Sequence, residues 1–272
     1  MQKKKLILTP PSVFTESSLY LEYISKLVAD KSISIQLIKS IPLVVNNPKP
    51  LAIVGEGLSA PQVFIQGKMI EMHADHLAGI SEYFTNRSIE SDLTVGYKSL
   101  PELSKEELNI TDCLMWTLEV SSEDSLWNEL FGTKETELAK QLELPTLCIP
   151  SNVKFSKPET LLIISKDDTN IETYVPVEII NRFNLQVTLM IDNDAANIDQ
   201  LVARASTLKL NKELDIVKAD FVDGKDSLQN YVTSANPSWI AYHNFDKSLV
   251  ERAFNMNTNN FILSAQRPVM IL

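Results

Sequence analysis

Apolar residues along this chain come in two kinds of segment that alternate from end to end: short unbroken runs, and longer stretches in which they recur at helical spacing. The short runs predict buried strands and the long ones amphipathic helices. KKLILT (4–9) is such a run, followed by a helix with Leu19, Tyr23, Ile24, Leu27 and Val28 on one face and Thr15 or Ser17 as candidate caps, and then by a strand, SISIQLIKSI (32–41). A β-α-β opening of this kind implies a parallel sheet with helical crossovers. Further on, a helix is expected over 69–86, with Met69, Met72 or His73, His76, Ile80 and Phe84 inward. SDLTVGYKS, DCLMWTLEV and LPTLCIP follow as strands, with helices through PELSKEELN and SLWNELFGTKETELAKQLE between them.

After Pro150 the segment SNVKFSKPE has the polarity of a linker, and the pattern then restarts. TLLIIS, LQVTLMID, LDIVKADFVDG, SWIAYHNF and PVMIL form strands, separated by helices in VPVEIINRF, IDQLVARASTLKL, DSLQNYVTSA and KSLVERAFNMNTNNFILSA. Two copies of one β-α order, each closing on proline and a short apolar strand, imply an internal duplication. The expected domains are 1–151 and 158–272, the first carrying a surplus at about 42–68.

That surplus contains LAIVGEGLSA (51–60), in which Gly55, Gly57 and Ala60 have the G-x-G-x-x-A spacing of dinucleotide-binding turns. A working turn of that type follows the first strand of a β-α-β unit and opens directly into a helix. Here the first unit is already complete, and Pro61 and QVFIQGKMI, β-branched and aromatic with Gly67 inside, predict a strand. The expectation is a β-hairpin insertion folded over the sheet edge or over the ligand crevice of the first copy, with a dinucleotide-dependent oxidoreductase as a remote alternative.

Composition narrows the partners. The chain has 272 residues, with 25 Lys+Arg against 35 Asp+Glu for a net charge of −10, and its basic residues are scattered. Nucleic acid is not an expected partner, because a phosphate backbone needs a concentrated cationic surface. No membrane span or secretion signal is expected either, since the apolar run in MQKKKLILTPP is too short. Cys113 and Cys148 lie in apolar runs and are expected as buried thiols of a cytoplasmic protein rather than a disulfide or a metal pair.

Other chemistry-bearing groups are sparse. His73 and His76 in EMHADHL stand near metal-ligand spacing, but two helix-borne ligands without further partners favour an ordinary helix face, and no metal is expected. Glu123 and Asp124 are explained as helix N-terminal charges. The acids of KDD (166–168) and DND (192–194) follow strands at the ligand-binding edge of an open α/β sheet, where polar turn residues are also common. No G-x-S-x-G elbow is present, and no catalytic residue is assigned.

The order and lengths of the elements, the segment ANPSWIAYHNFDKSLVERAF with its LSAQRPVMIL ending, and DFVDGKDSLQNYV resemble the universal stress protein family in a tandem form. The resemblance implies two tandem open parallel five-stranded sheets with helices on both faces, with the two domains packed as a pseudo-dimer through their last strands. ATP-binding members carry G-x2-G-x9-G-[ST] after the fourth strand. Counted from the closing prolines, the first copy retains Gly132 and Thr133 but has Glu119 and Ser122 at the earlier glycine positions; the second has Tyr242, Phe245 and Asn255. The family's acid after the first strand is absent from TPPS in the first copy and matched by Asp167 or Asp168 in the second. Gly132, Thr133 and Asp167 are therefore the candidate remnants of a nucleotide site. The resemblance implies a non-enzymatic, stress-related regulatory or ligand-binding module with no cofactor and with a homodimer or protein partner. The alternative is an ATP-binding, weakly hydrolysing member.

Overall fold

The structure is a computed structural model, and it describes residues 3–10, 18–29, 31–40, 60–96, 106, 108–120, 144–165, 170–192, 198–219, 227–243 and 267–272. Among the described residues ten strands appear where the apolar runs place them: β1 (Lys4–Leu8), β2 (Ile33–Ser40), β3 (Ser91–Gly96), β4 (Cys113–Val120), β5 (Thr146–Pro150), β6 (Thr160–Ser165), β7 (Gln186–Asp192), β8 (Leu214–Ala219), β9 (Trp239–His243) and β10 (Val269–Ile271). Among the described residues the helices are α1 (Leu19–Val28), α2 (Ala60–Thr85), the single turn α3 (Ile171–Tyr174), α4 (Val177–Phe183), α5 (Ile198–Ala205) and α6 (Ser227–Ala235).

Two separate sheets are not what forms. All ten strands belong to one sheet in the order β3-β2-β1-β4-β5-β10-β9-β6-β7-β8. Its first five strands run 3-2-1-4-5 and its last five, taken from the far edge, run 8-7-6-9-10, so the same winding occurs twice. The join is an antiparallel ladder with Val269 opposite Cys148, Met270 opposite Leu147 and Ile271 opposite Thr146; every other strand pair is parallel. A free β5 or β10 would present unpaired backbone groups on an apolar strand, and pairing them removes both edges.

Side chains of successive strand residues leave the sheet on opposite faces, which divides the core in two. Leu6 and Leu8 join α1, the C-terminal part of α2, α4 and Trp239 in one cluster. Ile7, Trp116, Cys148, Ile164 and Val232 of α6 meet in the other. Strands buried on both faces carry the near-continuous apolar runs seen in the sequence.

Two expectations need correcting and one narrowing. Residues 62–70 are helical: α2 begins at Ala60, so QVFIQGKMI forms no hairpin arm, while 51–59 lie outside the described residues. Pro61 falls in the first helical turn, where backbone N–H groups have no intrahelical acceptor and proline is tolerated. Gly67 costs about 1 kcal/mol, which the packed end of α2 at Leu77, Ile80, Tyr83 and Phe84 outweighs. Of Met72 or His73, the alternatives for one inward position, Met72 is 73% exposed and His73 is half-buried. The cap of α1 is Ser18, whose hydroxyl accepts from the Leu21 N–H.

Candidate functional site

In an open α/β sheet, ligands bind beyond the C-terminal strand ends where the winding reverses direction. The strand order puts one such crevice between β1 and β4 and another between β6 and β9.

Beneath the first, groups of β1, β4 and α1 are bonded to one another. Thr9, just past β1, accepts the indole N–H of Trp116 on its hydroxyl at 2.8 Å and gives its own N–H to the Thr117 carbonyl. The Tyr20 hydroxyl of α1 donates to Thr117 Oγ1 at 3.2 Å, and Thr117 Oγ1 donates to the Ile7 carbonyl at 3.1 Å. Trp116, Tyr20 and Thr117 are fully buried, and burial pushes the Tyr20 phenol far above its ordinary value. Glu119 lies near the end of β4, opposite Ile149 in register, and burial raises its carboxyl above 4.5.

The second crevice is built differently. Ser165 and His243 are the last register partners of β6 and β9, with Ser165 Oγ 3.0 Å from His243 Nδ1. Tyr174 of α3 stacks on the imidazole, ring centroids 3.9 Å apart and planes inclined by 13°. A serine within hydrogen-bond reach of a histidine has the geometry of an activated nucleophile. Ser165 is fully buried, however, so this pair ties two strand ends together rather than presenting an oxygen to a substrate. Tyr242 is likewise inside β9, opposite Ile164 and Ile271.

Gly132, Thr133 and Asp167, the candidates for a nucleotide site, lie outside the described residues, as do Ser122, Glu123, Asp124, Asp168, Phe245 and Asn255. Of the DND acids, Asp192 ends β7 opposite Ala219, and Asp194 is outside the described residues. His73 and His76 are on α2; burial, followed by Lys39 and His73, lowers the His76 pKa from its ordinary value. Among the described residues no group of three His, Cys, Asp or Glu could hold a metal ion. Cys113 and Cys148 are buried and in no disulfide. Burial pushes the Cys113 thiol up to about 11, which makes it a poor nucleophile at neutral pH.

The Ser165–His243–Tyr174 group went unnoticed in the sequence. Its signal was present: TLLIIS and SWIAYH each end an apolar strand on a polar residue, and these two strands flank a winding reversal. α3, only four residues long, is too short to show a period.

Comparison with solved structures fixes the architecture. A universal stress protein from Archaeoglobus fulgidus aligns over 98% of this chain and 95% of its own, with a TM-score of 0.57 at 11% identity. The chain has the universal stress protein fold. A functionally unknown protein from Pseudomonas aeruginosa aligns over 99% of this chain and 92% of its own, with a TM-score of 0.48 at 10% identity. No protein-family model and no curated protein matches the sequence. Within the universal stress protein fold, α2 is the crossover between β2 and the edge strand β3. The G-x-G-x-x-A stretch does lead into a helix, contrary to expectation, but into one that serves the sheet edge rather than a winding reversal. Among the described residues no helix is long and apolar enough to cross a membrane.

Proposed function

We propose that this chain is a non-enzymatic, tandem stress-protein-like module, with domains at 1–151 and 158–272, whose two nucleotide sites have degenerated. The carrying observation is that the positions corresponding to the first glycine of the phosphate loop are still inside strands: Glu119 pairs with Ile149, and Tyr242 pairs with Ile164 and Ile271. A phosphate loop needs backbone N–H groups turned toward the ligand and no side chain in the way. Glu119 instead brings a half-buried carboxyl to the phosphate end. In TPPS, where the first copy has no counterpart of the family's adenine-contacting acid, the Thr9 hydroxyl is engaged by Trp116.

The β5–β10 ladder supports a pseudo-dimer within one chain, the two domains using on each other the edge that separate chains could share. The module then acts by binding a partner or an altered ligand, in a cytoplasmic setting consistent with its two buried cysteines. ATP with Mg²⁺ is the decisive probe in a thermal-shift titration, with inorganic tripolyphosphate as the reference. A specific site occupied at a hundred times its Kd adds about 2.7 kcal/mol of stability. The proposal expects ATP to stabilise no more than tripolyphosphate does. Extra stabilisation by ATP, abolished by Gly132→Asp or Asp167→Ala, establishes the alternative, an ATP-binding protein.

A further inference from the structure

At the opposite edge of the sheet, beside the N-terminal ends of β6 and β7, lies a cavity of about 410 Å³. This is within the ~300–1,000 Å³ range of small-molecule sites. Thr160, on its wall, begins the strand that Ser165 ends, which separates the cavity from the winding reversal by roughly 17 Å at about 3.3 Å per residue.

Its charge is opposite to that of the protein. Lys31, Lys157 and Lys212 line it against a single acid, Glu159, in a chain of net charge −10. Elsewhere Lys3, Lys4, Lys5, Lys26, Arg182 and Arg204 all have carboxylate partners, whereas among the described residues the three cavity lysines have none. Like charges gathered at a concavity repel one another and focus a positive potential there. An acid-rich sequence had ample means to neutralise them.

The walls are also held in place. Lys212 Nζ donates to the carbonyl of Asn184, a left-handed residue at φ 55°, at 2.7 Å. Buried Arg182 donates to the Lys31 and Ser32 carbonyls at 3.2 and 3.4 Å, fixing the turn that bears Lys31. Lys31 comes from the first winding, Lys212 from the second and Lys157 from the segment joining them. A ligand here touches all three parts of the chain.

We propose that this cavity binds a small ligand through phosphate-type oxyanions, with Lys31, Lys157 and Lys212 as its charge partners. Lysine suits this role as a strongly hydrated point charge with rotatable donors, and the interaction weakens with ionic strength. The proposal is independent of the nucleotide-site reading, since it involves neither winding reversal.

Calorimetric titration with inorganic tripolyphosphate tests it. Saturable binding of one equivalent per chain is expected, with affinity reduced at least about tenfold by Lys31→Glu, Lys157→Glu or Lys212→Glu and unchanged by Lys68→Glu on α2. The milder Lys31→Gln and Lys157→Gln substitutions provide the same comparison if a charge reversal fails to fold, and are expected to weaken binding in the same direction. Absence of saturable binding, or equal affinity in the cavity variants and Lys68→Glu, overturns the proposal. Tighter binding of citrate than of tripolyphosphate overturns the phosphate assignment.

Discussion

The indole N–H of Trp239, on β9, donates to the hydroxyl of Tyr23, on α1, at 2.9 Å, although 216 residues separate them in sequence. Both side chains are almost fully buried; Phe155 meets Tyr23 edge-on at 5.2 Å and Phe183 meets Trp239 at 5.4 Å. The bond therefore links the first winding of the sheet to the second inside a shared aromatic cluster. Tyr23→Phe leaves a buried indole N–H without its acceptor, which costs about 1–3 kcal/mol. Urea unfolding should show that loss. In a double-mutant cycle with Trp239→Phe, the two penalties should fall short of adding, because both substitutions remove the same bond.

Alkaline pH should destabilise the fold through the same residue. Burial, partly offset by the bond to Trp239, raises the Tyr23 phenol from 10.0 to about 12. A raised folded pKa gives stability that is complete below pH 10 and declines as pH rises toward 12. For one such group the slope is about 1.4 kcal/mol per pH unit. Tyr20 and Tyr242 are shifted in the same direction by burial and steepen the decline. Urea midpoints measured from pH 8 to 11.5 should fall beyond pH 10, less steeply in Tyr23→Phe. A flat profile contradicts this account.

Arg182 has a comparable bridging role. Its guanidinium, 2% exposed, contacts Glu178 at 3.0 Å and the carbonyls of Lys31 and Ser32, and Glu178 in turn meets Lys4 at 3.0 Å. Ser32 has φ 53°, a backbone conformation that non-glycine residues seldom adopt. Arg182→Met leaves these acceptors without their donor and should cost about 1–3 kcal/mol, a loss limited because Glu178 is 45% exposed and can be hydrated. Arg182→Lys should recover only part of it, since a single ammonium cannot reproduce the planar fork. Guanidinium denaturation of the three proteins provides the ranking.

Glu119 should make the protein more stable as an amide at neutral pH. Burial raises its carboxyl above 4.5, so the folded chain prefers the protonated form. That contribution is complete below 4.5 and is lost as pH rises through the folded value. Glu119→Gln is therefore expected to melt higher than the parent at pH 7, with the difference closing toward pH 4. A parent that melts higher at pH 7 would mean that the carboxylate has a compensating partner.

Cys113 should react slowly with an alkylating reagent at pH 7, because its buried thiol titrates near 11. Raising the pH to 9 should accelerate labelling only modestly under native conditions, and urea should accelerate it strongly. Rapid native labelling at pH 7 contradicts the burial of this residue.

The sequence alone determined the ten strands and their alternation with helices, because a strand buried on both faces must be apolar throughout and a crossover helix must be apolar on one side. The proposal that Glu119 and Tyr242 replace phosphate-loop glycines rests on the sequence too, on residue identity and spacing counted from the closing prolines. The sequence misassigned 62–70, where local β-propensity favoured a strand and continuity with the packed end of α2 prevailed. Only the tertiary structure decided that the two windings share one sheet, that Ser165 and His243 meet beneath Tyr174, and that three distant lysines line one cavity. Each of these depends on which strand lies beside which, and long-range pairing is set by burying edges and faces together, a condition that no local pattern records.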